Sequence, residues 1–150
     1  LERITILNTA AAVSQVDLYT NDSHPALSPD IVLHSPVDYN TTAGKVYNLS
    51  KINLNITLPS IESGVPQRVF DVMSYGGFIL TNYQPEIDEL FELDKDIVVF
   101  HSQKEFIEKL VYFLTHENER LSIAINGYQK IRKLHTYTKR VEFILNTIQQ

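Results

Sequence analysis

The sequence predicts an α/β fold: a doubly wound parallel sheet of about five strands, with helices on both faces and a helical tail at the end. Short apolar segments alternate with segments of helical spacing through residue 115, the pattern of strand–helix–strand units. Glycine and proline residues lie at many of the junctions between these segments. Three consecutive helical patterns then close the chain, which predicts the tail.

The first part of the chain, up to residue 57, predicts two helices and three strands. Residues 3–14 are rich in alanine and have apolar residues at helical spacing, and residues 41–50 can form a short helix capped by Thr41 or Thr42. The predicted strands are short apolar or alternating segments at residues 16–20, 31–33 and 52–56.

The middle of the chain predicts a helix between two buried strands. The loop at 58–66 contains two prolines and a glycine, and Pro66 suits the first turn of a helix, where its missing N–H costs nothing. That helix spans residues 67–75 and is predicted to stop at Gly76 and Gly77. Further strands are predicted at about 78–81 and 97–100, with a short helix at 85–91 between them.

The last third of the chain predicts three helices. Ser102 and Glu105 have the spacing of a capping box, which predicts a helix from there to about Thr115. Helices at about 117–134 and 137–148 follow, and the last places Val141, Ile144, Leu145 and Ile148 on one face. Phe106, Tyr112, Phe113 and Phe143 are predicted to be core or helix-packing residues.

Composition limits the classes of function. A chain of 150 residues with net charge −5 predicts one domain without the basic patch typical of nucleic-acid binding. No apolar run approaches the ~20 residues of a membrane span, and the absence of cysteine excludes thiolate chemistry and suits the cytoplasm. The histidines His24, His34, His101 and His116 lack the spacing of a metal site, so no metal is predicted.

Two asparagines in one predicted strand are candidates for ligand contact. Asn53 and Asn55 alternate with apolar residues, although asparagine is depleted in strands. The prediction places both in the carboxyl half of this strand, the end at which ligands bind in open parallel sheets, so base or ribose contacts are expected. The alternative is that their amides bond neighbouring loop backbone.

The segment KINLNITLPSIESGVPQRVFDVMSYGGFILTNY, residues 51–83, resembles the donor-binding half of GT-B glycosyltransferases. It is most similar to the spore-maturation-protein-like branch of the group 1 enzymes, in which a strand and loop lead to a helix with the pattern P-x-R-x-F-E. The tail R-x-x-I-A-x-x-G followed by H-T-Y-x-x-R continues the likeness to about residue 145. The resemblance implies a Rossmann-like domain.

The resemblance implies roles for residues around the helix at 67–75. Asp71 stands where the superfamily usually has a glutamate that hydrogen-bonds the ribose hydroxyls, a task that suits an acceptor-only carboxylate. Arg68 and the helix start at Gln67 would hold the diphosphate. The alternative for Arg68 is a surface ion pair with Glu62 or Asp71. Ser63 occupies the loop position where the superfamily has a further acid, eight residues before Asp71, and Glu62 is next to it.

The resemblance also implies an organisation. Residues 1–150 would be a single nucleotide-sugar-binding domain of a two-domain enzyme, with the acceptor domain elsewhere and the innermost strand of the sheet absent. No cofactor other than the donor substrate and no catalytic residue is expected in this chain, which alone should be inactive. Either the strands at 16–20 and 52–56 then pair directly, or an exposed edge remains there, which could support a homodimer by strand addition. His135 is interpreted as structural. The alternative function is a non-catalytic doubly wound interaction module.

Overall fold

A computed structural model of the chain describes residues 2–58, 60–61 and 63–148. The described helices are α1 (Glu2–Ala11), α2 (Ala43–Leu49), α3 (Gln67–Ser74), α4 (Pro85–Leu90), α5 (Gln103–Thr115), α6 (Glu117–Leu134) and α7 (Tyr137–Ile148). The described strands are β1 (Val16–Tyr19), β2 (Ile31–His34), β3 (Asn53–Asn55), β4 (Ile79–Asn82) and β5 (Val98–Phe100). Every predicted element is therefore present, within a few residues at its ends.

All described strand pairs are parallel, which confirms the α/β class. The strands form a two-stranded sheet, β1-β2, and a three-stranded sheet with the order β3-β4-β5. The sequence left open whether the strands at 16–20 and 52–56 pair. In the described part of the chain they do not, and an unpaired edge remains on each side of the gap between β1 and β3.

The core lies on both faces of the three-stranded sheet, which is why its strands are apolar without interruption. Helices α1, α5 and α6 cover one face, in a cluster that includes Ile6, Leu80, Val98, Phe106, Phe113 and Ile123. Helices α3, α4 and α6 cover the other face, in a cluster that includes Val69, Met73, Ile79, Ile87, Val99 and Ile131. This packing holds α3 against the sheet, and the candidate site lies at the start of α3.

Two predicted helix starts need correction. The predicted caps Thr41 and Thr42 are not used at α2, which has no side-chain cap at Thr42; instead Asp38 Oδ1 accepts from the backbone N–H and the hydroxyl of Thr41, both at 2.8 Å. These hydrogen bonds hold the turn that precedes α2, and the amides of the helix itself receive no side-chain cap from Thr42. Pro66 is the residue before α3 rather than part of its first turn.

The predicted end of α3 is confirmed. Gly76 has φ 74°, a conformation that glycine adopts without strain, and Gly77 N–H donates to Val72 O at 2.9 Å. This glycine stop turns the chain directly into β4, so the start of α3 is held at the opposite, carboxyl edge of the sheet.

The carboxyl-terminal helix differs from the rest of the tail. None of its residues is buried, so the predicted apolar stripe of α7 lies exposed. Phe143, predicted to pack, is 70% exposed, whereas Phe106 and Phe113 are in the core as predicted. The periodicity of the sequence predicts the apolar face of this helix but cannot show whether a partner covers that face. None of the helices in the described ranges is long and apolar enough to cross a membrane.

Candidate functional site

The order in which successive strands are added reverses at the gap between β1 and β3. From this point β1 and β2 extend one way, whereas β3, β4 and β5 extend the other. In open α/β sheets, ligands bind in the crevice at the carboxyl ends of the strands where the strand order reverses. Helix α3 follows β3, so its first turn lies at this position.

Two cavities lie along the sheet. The larger, about 770 Å³, occupies the gap between β1 and β3, and both Arg68 and Tyr39 line it. The smaller, about 350 Å³, lies at the carboxyl ends of β4 and β5 and is lined in part by Asn82, Tyr83, His101 and Gln103. The larger cavity lies at the point where strand order reverses, which is the expected position of a ligand.

The first turn of α3 is open. Its N-cap residue is Pro66, and none of the described side chains caps the helix. Val69, Val72 and Met73 are fully buried and fix the orientation of the helix, which leaves Arg68 exposed. Within the described ranges Arg68 forms no ion pair and no hydrogen bond, and Glu62 lies outside those ranges. An uncapped helix start beside an unpaired guanidinium is suited to bind an anion.

A polar cluster adjoins this helix start, which we call the Gln67 cluster: Tyr39, Gln67, Asp71 and Tyr137. The Gln67 Nε2 group donates to Tyr137 Oη at 3.1 Å and to Tyr39 Oη at 3.5 Å. Tyr39 Oη donates to Asp71 Oδ1 at 2.8 Å, and this hydrogen bond raises the pKa of Tyr39 above its usual value. The cluster joins α3 to α7 and to the loop between β2 and α2.

The carboxylate of Asp71 is only partly used by this cluster. Its Oδ1 accepts from Tyr39, whereas Oδ2 accepts no hydrogen bond from a described residue. Asp71 is half-buried on α3, one turn beyond Arg68. The predicted residues Gln67, Arg68 and Asp71 are therefore neighbours on one helix, with one carboxylate oxygen and one guanidinium available.

The remaining predicted residues lie elsewhere. Ser63 is exposed in the loop before α3, next to Gly64 with φ 94°, and Glu62 lies outside the described residues. Asn55 is buried, and its amide donates to Thr81 Oγ1 at 3.0 Å and Thr57 Oγ1 at 3.3 Å. That amide ties β3 to β4 and holds the start of the loop that leads to the site.

The position predicted for Asn53 was wrong. It opens β3, at the amino end of the strand rather than in its carboxyl half. Its amide donates to Tyr47 O at 2.9 Å and Phe78 O at 3.1 Å, which are carbonyls at the ends of the neighbouring segments. An asparagine suits this place because its amide bonds the backbone of nearby segments, here of α2 and of the residue before β4, in the manner of the alternative that the sequence left open.

The two tyrosines of the cluster were not identified from the sequence as site residues. Tyr39 lies in the loop after β2, and its hydrogen bond to Asp71 spans 32 positions of sequence. Tyr137 is part of the H-T-Y motif, which was a signal, but its contact with Gln67 spans 70 positions. Neither contact has a local pattern that could predict it.

The other tail-motif residues pack the domain. His135 caps α6 and its ring packs against Phe70 and Phe91, with centroids 5.9 and 5.4 Å away. Burial, and then the charge of Arg140, lower the pKa of His135. The structure thus places this histidine in an aromatic cluster, as its structural interpretation required. Among the described residues, no group of three potential metal ligands was found.

The comparison with protein families covers most of the chain. The family model described as glycosyl transferase-like matches residues 5–146, nearly the whole chain. The chain belongs to the glycosyl transferase-like family. No curated protein and no solved structure matches the chain significantly. The matched span of this glycosyl transferase-like domain includes the open start of α3, the Gln67 cluster and the reversal point of the sheet.

Proposed function

We propose that the chain is the donor-binding half of a two-domain glycosyltransferase of the GT-B type, within the spore-maturation-protein-like branch. The observation that carries the proposal is the uncapped start of α3, with Arg68 unpaired among the described residues, at the point where strand order reverses. A nucleotide diphosphate sugar has the anionic group that such a helix start accepts.

Arg68 is the residue proposed for the diphosphate. Its guanidinium can donate two parallel hydrogen bonds to phosphate oxygens, and the first amides of α3 at Gln67 and Arg68 add donors along the helix dipole. The same charges would stabilise the negative charge that develops on the leaving diphosphate. The residues therefore bind and assist departure of the leaving group without acting as acid or base.

Asp71 is the residue proposed for the ribose. Oδ1 is held by Tyr39, so the carboxylate is oriented before a ligand arrives, and Oδ2 can accept a hydroxyl proton. Ser63 and the amides of Asn53 and Asn55 complete the predicted set. The two asparagine amides already bond protein groups, so no ligand contact is assigned to them, and Asn55 holds the start of the loop that leads to the site. The acceptor and the catalytic base come from the other domain in this proposal.

The test is a binding panel. UDP-, GDP-, CDP- and ADP-sugars are added to the chain, and the shift in melting temperature and the dissociation constant are measured. One nucleotide is expected to stabilise the chain, since a ligand that binds only the folded state raises its stability by mass action. The Asp71→Asn variant is expected to weaken that binding about tenfold, the loss of one hydrogen bond to a charged group.

Asp88→Asn is the matched control. Asp88 also accepts a hydrogen bond from a tyrosine, Tyr83 Oη at 2.8 Å, but on α4 and away from the open helix start. This variant should bind the nucleotide as the unmodified chain does. A flat response to all four nucleotides would contradict the proposal and favour a non-catalytic interaction module. Sugar transfer by the chain alone would contradict the two-domain part.

A further inference from the structure

The polar contacts that join α7 to other described elements lie in its first turn. Tyr137 Oη accepts from Gln67 Nε2 at 3.1 Å, and the guanidinium of Arg140 lies 5.6 Å from the centre of the Phe70 ring. From residue 141 onward, no hydrogen bond or ion pair connects the helix to another part of the described chain. The rest of α7 is therefore held to the domain by its first turn.

The later turns of α7 present large apolar side chains to solvent. None of the residues of this helix is buried. Phe143 is 70% and Ile148 76% exposed, and the other apolar residues of these turns are each more than half exposed: Val141, Ile144 and Leu145. We call these five residues the α7 face. An exposed apolar surface of this kind is typical of contact with another molecule.

The same end of the chain has a charge opposite to that of the rest. Residues 121–150 contain five of the 13 lysines and arginines but only one of the 18 aspartates and glutamates, so their formal charge is +4. Because the whole chain has a net charge of −5, residues 1–120 have a charge of −9. Such asymmetry within one chain is typical of attraction to an anionic surface.

Three of these cations are available to a partner. Arg132, Lys133 and Arg140 are exposed and form no ion pair with a described residue. The other two, Lys130 and Lys139, form ion pairs of 2.8 Å, and the one acidic residue of the segment is the partner of Lys139. The charge that remains available in this segment is therefore positive, and Arg140 directly precedes the α7 face.

We propose that α7 lies on the surface of a membrane that contains anionic lipid. The α7 face enters the boundary between headgroups and acyl chains, while Arg132, Lys133 and Arg140 bind lipid phosphates. An exposed helix with apolar residues on one side and cations beside them has the form of an interfacial helix, and each cation near an anionic leaflet adds electrostatic attraction. The acidic part of the domain stays in water, because the same lipid charge repels it.

Two other partners fit these observations less well. A nucleic acid would match the cations, but its phosphate backbone offers no apolar surface for Phe143 and Ile148. A second copy joined through α7 by a two-fold axis would place two positive segments against each other, and like charges repel.

The test is sedimentation of the chain with vesicles of phosphatidylcholine, made with and without one third of phosphatidylglycerol. At low salt, binding to the anionic vesicles is expected to be at least about tenfold tighter than to the neutral ones, and high salt should remove most of this difference because it screens the charges. Phe143→Ser with Leu145→Ser, and separately Arg132→Gln with Lys133→Gln, should each weaken binding to anionic vesicles about tenfold or more. All four side chains are exposed, so the melting temperature should hardly change.

The matched controls make the same changes in the acidic part of the chain. Leu49→Ser with Val111→Ser removes two exposed apolar side chains, and Lys45→Gln with Lys51→Gln removes two exposed cations. Both double variants should bind anionic vesicles as the unmodified chain does. Equal binding to neutral and anionic vesicles, no binding to either, or an equal loss in the controls and the α7 variants would overturn the proposal. So would a dimer in sedimentation velocity that the Phe143 and Leu145 changes abolish, without vesicle binding, because a second copy would then cover the α7 face.

Discussion

Helices α3 and α5 both follow a strand at the carboxyl edge of the sheet, and their sequences begin alike. α3 opens with Gln67, Arg68, Val69 and Phe70, whereas α5 opens with Gln103, Lys104, Glu105 and Phe106. In both helices a glutamine and a cation therefore precede an aromatic residue. The helices differ at the N-cap, which is Pro66 in one and Ser102 in the other, and at the third residue.

These two differences close one helix start and leave the other open. Ser102 Oγ accepts from Glu105 N–H at 3.2 Å, and Glu105 Oε2 accepts from the backbone N–H of His101 at 2.8 Å. The α5 start is thus satisfied by its own side chains, a capping box shifted by one residue on its return bond. Pro66 and Val69 offer no equivalent acceptor, so no described side chain satisfies the first amides of α3, which can bond solvent or a ligand. The comparison shows that similar sequences can leave a helix start satisfied or open.

Arg68→Ala should have the largest effect. Loss of the guanidinium is expected to weaken binding of the preferred nucleotide sugar by roughly 10- to 100-fold, which corresponds to about 1.5–3 kcal/mol for a hydrogen bond to a charged group. The melting temperature without ligand should hardly change, because Arg68 is exposed and makes no described contact. Isothermal titration calorimetry and thermal unfolding measure the two quantities.

Lys104→Ala is the matched control, since Lys104 holds the same second position in α5. Its only described ion pair is a long one, 3.9 Å to Glu108, at the surface. Nucleotide affinity should be unchanged in this variant. If both variants weaken binding equally, the effect comes from net charge alone, and the proposed role of the α3 start is contradicted.

Glu105→Gln tests the closed helix start through its pH dependence. Burial raises the pKa of Glu105, but hydrogen bonds from His101 and from Lys109, which lies 2.9 Å away, outweigh it and lower the pKa to about 2. The carboxylate therefore stabilises the fold fully above pH 4.5, and this contribution is lost as the pH falls towards 2. The variant should be about 1–2 kcal/mol less stable at pH 7.

The difference between Glu105→Gln and the unmodified chain should shrink steadily between pH 4.5 and 2, measured by urea unfolding at a series of pH values. A difference that stays constant over this range would show that the charge of Glu105 is not what stabilises α5. Nucleotide affinity at pH 7 should stay the same, because this helix start is already satisfied.

Local patterns predicted the elements well because their causes are local. The glycine stop at Gly76 and the cap at Ser102 act within a few residues of sequence, and both were found. The Tyr39–Asp71 hydrogen bond could not be predicted in this way, since its partners approach only after β2 and α3 have packed. The same is true of Asn53, whose amide is used by carbonyls of two other segments.

The division of the strands into two sheets could not be predicted from local patterns. The sequence placed both edges and left their pairing open, because strand neighbours depend on which segments share a layer. Helix α7 shows the converse limit: its periodicity is that of a buried helix, yet its apolar residues are exposed. A periodic pattern identifies a face but does not identify what covers it.

Ser102→Ala should have the smallest effect and discriminates between the two cavities. Loss of the cap at α5 is expected to cost about 1 kcal/mol in the free energy of unfolding, measured by urea denaturation. Ser102 also lines the smaller cavity, of about 350 Å³, next to His101 and Gln103. If the nucleotide binds at α3, its affinity is unchanged in this variant once the protein is folded. A loss of affinity of tenfold or more would instead place the ligand at the carboxyl ends of β4 and β5, and the assignment of the open helix start would be wrong.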